Sequence, residues 1–225
     1  MVDSLLRCVV VEPTVAADAA VIWLHGLGAD GHDFEPVLPW LSLPADHAIR
    51  FVFPHAPQIP VTLNQGMVMP AWYDITETDL ARRHDRDGIL RSREQLRALV
   101  ERERAQGIDA SRIVLAGFSQ GGAVALDTGL RHEEKLAGIL ALSTYLVLED
   151  EVEAERASAN AGTPLLQVHG TSDPMVPIAR GRAACEQLKG LGYSVQWQEY
   201  PMQHEVCPEE LGLIGQWLGG VLGSG

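Results

Sequence analysis

A serine, an aspartate and a histidine follow one another through the second half of the chain, each in a turn after an apolar run, and side chains of these types can carry acyl transfer. Ser119 stands in Gly117-Phe118-Ser119-Gln120-Gly121-Gly122, directly after Arg112-Ile113-Val114-Leu115-Ala116. A Gly-x-Ser-x-Gly segment that leaves a buried strand and enters a helix holds its serine in a tight turn, with the hydroxyl above the sheet edge. The glycines have a steric reason, because a β-carbon beside that turn would strike backbone where strand and helix draw close. A serine hydroxyl is a weak nucleophile at neutral pH, so it needs an imidazole to take its proton and a carboxylate to orient that imidazole. Asp173 fits as the acid: it lies in Gly170-Thr171-Ser172-Asp173-Pro174, after the run 164–169. His204 fits as the base, in Pro201-Met202-Gln203-His204 after the run 194–200. Alone, Asp173 reads as a turn cap and His204 as a loop residue; their order after Ser119 points to a triad.

Acyl transfer also needs N–H donors for the oxyanion of its tetrahedral intermediate. The Gln120 amide, at the start of a helix, is one candidate, and the Leu27 amide in His25-Gly26-Leu27-Gly28 is the other. A phosphate-loop reading of Gly26, Gly28 and Gly31 fails, because neither G-x-G-x-x-G nor a Walker lysine is present. His25 and His169 read as structural hydrogen-bonding residues. His84-Asp85-Arg86-Asp87 reads as helix surface rather than a metal site, so neither metal nor cofactor is expected.

The elements that must position these groups can be read from periodicity. Short apolar runs at 5–11, 20–24, 50–53, 112–116, 137–142, 164–169 and 194–200 predict strands, most of them buried on both faces. Helical patterns at 79–106, 120–131, 178–191 and 208–222 alternate with them. That alternation predicts an α/β fold, a mostly parallel, doubly wound sheet in a single domain spanning 1–225. The stretch 54–72, with prolines at 54, 57, 60 and 70, predicts a long ordered loop without secondary structure. Its Met67, Val68, Met69, Trp72 and Tyr73 are candidate pocket walls. No insertion is long enough for a separate lid domain.

A length of 225 residues with 46% hydrophobic content supports a substantial core. The formal net charge of −13 argues against nucleic acid as a partner, since binding a phosphate backbone needs a basic face. No apolar run is long enough for integral membrane association, and the first residues lack the basic start of a signal peptide. Three widely spaced cysteines, Cys8, Cys185 and Cys207, predict reduced thiols and a cytoplasmic location.

Six segments in register complete the reading. Leu24-His25-Gly26-Leu27-Gly28-Ala29-Asp30-Gly31, Pro54-His55-Ala56-Pro57 and Ala71-Trp72-Tyr73-Asp74-Ile75 precede the serine turn. His169-Gly170-Thr171-Ser172-Asp173 and Met202-Gln203-His204-Glu205 follow it. Together with 117–122, they resemble the phospholipase/carboxylesterase family, which includes carboxylesterases and acyl-protein thioesterases, over about Val21 to Leu218. The resemblance implies a lidless α/β-hydrolase fold, Ser119, Asp173 and His204 as triad, and Leu27 and Gln120 as oxyanion donors. It also implies an acyl groove bordered by the Trp72 region, with Met69 nearby, and by Val176. Asn64-Gln65-Gly66 departs from the family's Asn-Gly-Gly. The expected activity is hydrolysis of small carboxylic esters with short to medium acyl chains by a serine carboxylesterase; the alternatives are an acyl-protein thioesterase or lysophospholipase, and a silent binding protein on the same scaffold. Pairing into a homodimer is an expectation from the family alone.

Overall fold

The computed structural model describes residues 5–76 and 84–223. Among the described residues nine strands occur in chain order: β1 (Cys8–Val11), β2 (Ala19–Leu24), β3 (Ile49–Pro54), β4 (Gln58–Val61), β5 (Met67–Pro70), β6 (Ile113–Phe118), β7 (Gly138–Leu142), β8 (Leu165–Gly170) and β9 (Val195–Tyr200). The helices are α1 (Arg86–Ala105), α2 (Gln120–Leu130), α3 (Val152–Glu155), α4 (Ile178–Gly190) and α5 (Pro208–Leu222). Seven strands make one sheet in the order β1-β3-β2-β6-β7-β8-β9. β1 runs antiparallel to β3, and every other neighbouring pair is parallel.

Strand periodicity divides the core into two sides. Along β2, Ala20, Ile22 and Leu24 face a cluster with Ile89, Leu96 and Leu99 of α1 and Val124 of α2. Ala19, Val21 and Trp23 face the other side, where Leu211, Ile214 and Leu218 of α5 pack. Those three α5 residues recur at the three-and-four spacing that gives a helix one apolar stripe. Burying each such side chain contributes about 1.5–3 kcal/mol. Because helices cover both faces, the central strands can be apolar throughout, as β2 is.

Helix α1 begins where Asp85 caps it, its side chain accepting from Gly88 N at 2.9 Å. The sequence-predicted start at residue 79 lies outside the described residues. Helix α1 is locked to α2 by a buried ionic cluster. Arg93 donates twice to Asp127, at 2.7 and 3.0 Å, and Arg131 donates to the same carboxylate at 2.7 Å. Losing one member of such a cluster strands a buried charge and costs about 3–5 kcal/mol. The cluster therefore fixes the helix that starts at Ser119.

Two departures from the sequence reading are instructive. The stretch 54–72 is not a loop without secondary structure: β4 and β5 pair as an antiparallel ribbon, joined through a 3-10 turn at Thr62–Asn64. A two-stranded ribbon needs only alternate backbone groups, so Pro60 and Pro70 are compatible with it, although prolines suggest a break. Asp74 anchors the turn by accepting from Thr62 N at 2.7 Å and Thr62 Oγ1 at 2.6 Å. Gln65 adopts φ 59° in that turn. The second departure is a 3-10 helix at Glu35–Leu41, whose Pro36 and Pro39 masked it in the sequence.

Glu210, in the first turn of α5, is fully buried, and neither carboxyl oxygen has a well-formed hydrogen-bond partner among the described residues. Burial pushes its pKa up to about 8 from an ordinary 4.5, only partly opposed by the Cys207 amide. A carboxyl whose pKa rises on folding supports the fold below its unfolded pKa and loses that support as pH climbs through the folded value. Glu210→Gln is therefore expected to match the parent protein below pH 4.5 and to gain stability over it between pH 4.5 and 8, by at most ~1.4 kcal/mol per pH unit. Thermal melts across that range check this; parallel curves for the two proteins would rule it out.

Candidate active site

The turn between β6 and α2 holds Ser119 at φ 54°, ψ −119°, a conformation that costs a non-glycine residue on the order of 1–3 kcal/mol. Backbone bonds over-determine it. Ser119 N donates to Leu142 O at 2.8 Å, and Ser119 O accepts from Thr144 Oγ1 at 2.6 Å and Ala123 N at 3.1 Å. The turn is also sterically tight. A β-carbon at Gly117 would lie 2.3 Å from Gly121 C, and one at Gly121 would lie 2.5 Å from His25 O. Ser119 occupies the N-cap of α2, yet its hydroxyl makes no capping bond. It is turned instead toward His204.

Asp173 and His204 reach the same place from loops after β8 and β9. Ser119 Oγ lies 2.9 Å from His204 Nε2, and His204 Nδ1 lies 2.7 Å from Asp173 Oδ2. The carboxylate accepts from Nδ1–H, which leaves Nε2 free to accept the hydroxyl proton. The other carboxylate oxygen, Oδ1, accepts from the amides of Met175 and Val176, both at 2.8 Å. Burial alone would raise the Asp173 pKa, but the His204 bond and the two amides outweigh it and hold the group below its ordinary value. An anionic, buried orienting group results.

His169 and His25 are buried supports, as their sequence positions suggest. His169 Nε2 donates to Val176 O at 2.8 Å and lies 3.5 Å from Asp173 Oδ2, so it braces the strap that holds the carboxylate. His25 Nε2 accepts from Ala56 N at 3.1 Å, which leaves Nδ1 protonated and donating to Gly26 O at 2.7 Å. Burial lowers the pKa of both imidazoles and keeps them neutral.

The two oxyanion candidates, Leu27 and Gln120, line the same cleft as Ser119. In the turn after β2, Gly28 N donates to Pro70 O and Ala29 N to Gly26 O, and Trp72 Nε1 donates to His25 O at 2.8 Å. None of these bonds uses the Leu27 amide. The Gln120 amide opens α2, where the first N–H groups have no intrahelical acceptor and the helix dipole favours negative charge. The Gln120 side chain is spent elsewhere: Oε1 accepts from Trp72 N at 2.9 Å and Nε2 donates to Tyr73 O at 2.7 Å. This clamp, which sequence reasoning missed, ties the start of α2 to Trp72 and Tyr73, and the Trp72 indole bond to His25 O carries the link on to the Leu27 turn. A buried glutamine opening an apolar helix was the available signal.

A cleft of about 390 Å³ opens over the hydroxyl. Leu27, Gln120 and Val176 line it together with Ser119 and His204, while Asp173 sits behind the imidazole. Met67, Val68, Met69, Trp72 and Tyr73, the other expected wall residues, are not among its lining residues. Trp72 is buried with its indole N–H bonded to backbone, and Met69 lies by Gly28. Sequence reasoning did not find Leu63, Ile75, Tyr145 and Asp33, which do line the cleft. They come from separate parts of the chain, and of the four only Ile75 stands in one of the six segments.

Residues 6–221 match the phospholipase/carboxylesterase family. Acyl-protein thioesterase 1 of Gibberella zeae is 43% identical over 209 residues, covering 89% of both chains. Among solved structures, acyl-protein thioesterase 2 of Zea mays is similar with a TM-score of 0.86 at 29% identity, covering 96% of this chain and 99% of that one. SOBER1 of Arabidopsis thaliana gives 0.85 at 31% identity, covering 91% and 99%. The fold is that of the α/β-hydrolases, without a separate lid.

Because Gly121 has backbone carbonyls where a side chain would begin, Gly121→Ala is expected to destabilise the protein by at least about 1–3 kcal/mol, the usual cost of overpacking. Urea denaturation measures it, and an unchanged midpoint would refute the close approach.

Proposed function

The chain belongs to the phospholipase/carboxylesterase family of α/β-hydrolases, and from that premise we propose that this serine hydrolase cleaves acyl thioesters of cysteine-bearing peptides or proteins. The continuous path from Ser119 Oγ through His204 to Asp173, at 2.9 and 2.7 Å, carries the reading. The similarity to acyl-protein thioesterases favours a thioester over the simple carboxylic ester expected from sequence. Oxoesters share the tetrahedral step and remain substrates of the same machinery.

In this mechanism His204 Nε2 accepts the Ser119 proton as Oγ attacks the acyl carbonyl. The carbonyl oxygen becomes an oxyanion between the Leu27 and Gln120 amides. Collapse expels the thiolate, which takes the proton back from His204, and Ser119 keeps the acyl group. Water then gives a proton to His204 as its oxygen attacks the acyl-serine, and collapse of that second intermediate releases the carboxylic acid while Ser119 Oγ takes the proton back from His204. Asp173 stays ionised and stabilises the imidazolium throughout. The uncharged wall of Leu63, Ile75, Tyr145 and Val176 suits the acyl chain. The three free cysteines support a reducing compartment, and no helix among the described residues is long and apolar enough to cross a membrane.

Ser119→Ala is expected to lower kcat by more than ~10⁴-fold, and Asp173→Asn by ~10³–10⁴-fold, with melting temperatures close to the parent's. Turnover of matched S-acyl peptides and p-nitrophenyl esters over a series of chain lengths checks the substrate class. Cleavage of the esters with S-acyl peptides left intact would return the protein to simple carboxylesterases. Undiminished turnover by Ser119→Ala would remove the nucleophile assignment.

A further inference from the structure

A planar trans peptide carries its C=O and the following N–H in one rigid plane, pointing opposite ways. Leu27 N–H shares such a plane with Gly26 O, so whatever holds Gly26 O also aims the amide. His25 Nδ1 donates to Gly26 O at 2.7 Å, and Ala29 N donates to it at 3.3 Å. The plane passes beside the nucleophile: a β-carbon on Gly26 would meet Ser119 Cβ at 3.5 Å, and Gly26 and Leu27 both line the cleft.

Trp72 fixes the preceding plane. Its indole Nε1 donates to His25 O at 2.8 Å, and its ring packs on the His25 imidazole with centroids 5.2 Å apart. Trp72 is held in turn by its own backbone, its N–H donating to Gln120 Oε1 at 2.9 Å and its C=O accepting from Ser92 Oγ. Ala56 N donates to His25 Nε2 at 3.1 Å, which keeps the ring proton on Nδ1. Two buried ring donors are thus spent on consecutive carbonyls of one segment.

We propose that His25 and Trp72 are positioning residues: they lock successive peptide planes so that Leu27 N–H meets the oxyanion already aligned. The proposal rests on the hydrolase reading above and adds to it the residues that pre-organise one of its donors. Neither residue lines the cleft, so both act on the transition state and leave ground-state binding of the substrate alone.

The test compares transition-state with ground-state binding, using 1,1,1-trifluorononan-2-one and an S-octanoyl-cysteine peptide. Ser119 Oγ adds to the ketone carbon, the hydroxyl proton passes to His204 Nε2, and the ketone oxygen becomes an oxyanion. The inhibition constant therefore reads the oxyanion site, while KM reads the substrate. Neither quantity depends on the fraction of molecules that is folded. Trp72→Phe keeps a ring and deletes the indole N–H. It is expected to weaken inhibition about tenfold and lower kcat by a similar factor, with KM within about twofold, short of the roughly 10²–10³-fold loss when a donor is removed outright. At position 25 two amides divide the functions of the imidazole. Asparagine can place a donor where Nδ1 stands and nothing at Nε2, whereas glutamine can place an acceptor at Nε2 and no donor at Nδ1. His25→Asn is expected to retain the higher kcat and the tighter inhibition; a residue that only braced Ala56 would give the reverse order. Glutamine matching or exceeding asparagine, or unchanged inhibition of Trp72→Phe, overturns the proposal and leaves the hydrolase reading intact. KM rising in step with the inhibition constant assigns the two residues to substrate binding and overturns it as well. A parent protein that turns over neither the S-octanoyl peptide nor p-nitrophenyl octanoate rejects the hydrolase reading itself, and this inference with it.

Discussion

The 2.7 Å bond between His204 Nδ1 and Asp173 Oδ2 joins groups 31 residues apart in the chain, and it closes because the loops after β8 and β9 leave the sheet at the same edge. Parallel strands send their C-terminal ends the same way, so a sheet of this type concentrates successive loops in one place. The β6 turn adds Ser119 to that edge, and the β2 turn adds Leu27. Side-chain chemistry that needs tenths of an ångström is thus borrowed from backbone hydrogen bonding, which is accurate over the whole sheet.

Strain and support are divided in a consistent way around that edge. Ser119 is held in an unfavourable backbone conformation by Leu142, Thr144 and Ala123, and its helix is held by the buried Arg93–Asp127–Arg131 cluster. Neutral histidines, His25 and His169, serve as rigid hydrogen-bonding struts for the turns that carry Leu27 and Asp173. Burial suits His169 to that role, because an imidazole that stayed charged there would compete for the Asp173 anion that orients His204.

Ser119, Asp173 and His204 were legible in the sequence because each sits in a short motif tied to a strand end, and chain order supplied the rest. The central sheet strands were legible because buried parallel strands are largely apolar. The ribbon at 58–70 was not, since the four prolines of the stretch 54–72 outweigh a weak strand pattern when spatial pairing is unknown. Trp72 shows another limit. An aromatic residue near a site reads as a wall, whereas here its indole N–H satisfies the His25 carbonyl, a role that depends on a partner 47 residues away. Asp33, Leu63 and Ile75 meet only in three dimensions and could not have been grouped from the chain.

The β4–β5 ribbon stands apart from the main sheet and exposes Met67 and Val68, the combination that usually invites another chain to add a strand. Pro60 and Pro70 deny such a visitor backbone donors at two of its eight positions. The same prolines that hid the ribbon from periodicity therefore act as gatekeepers against intermolecular sheet growth, letting the protein keep an exposed apolar rim without seeding aggregation.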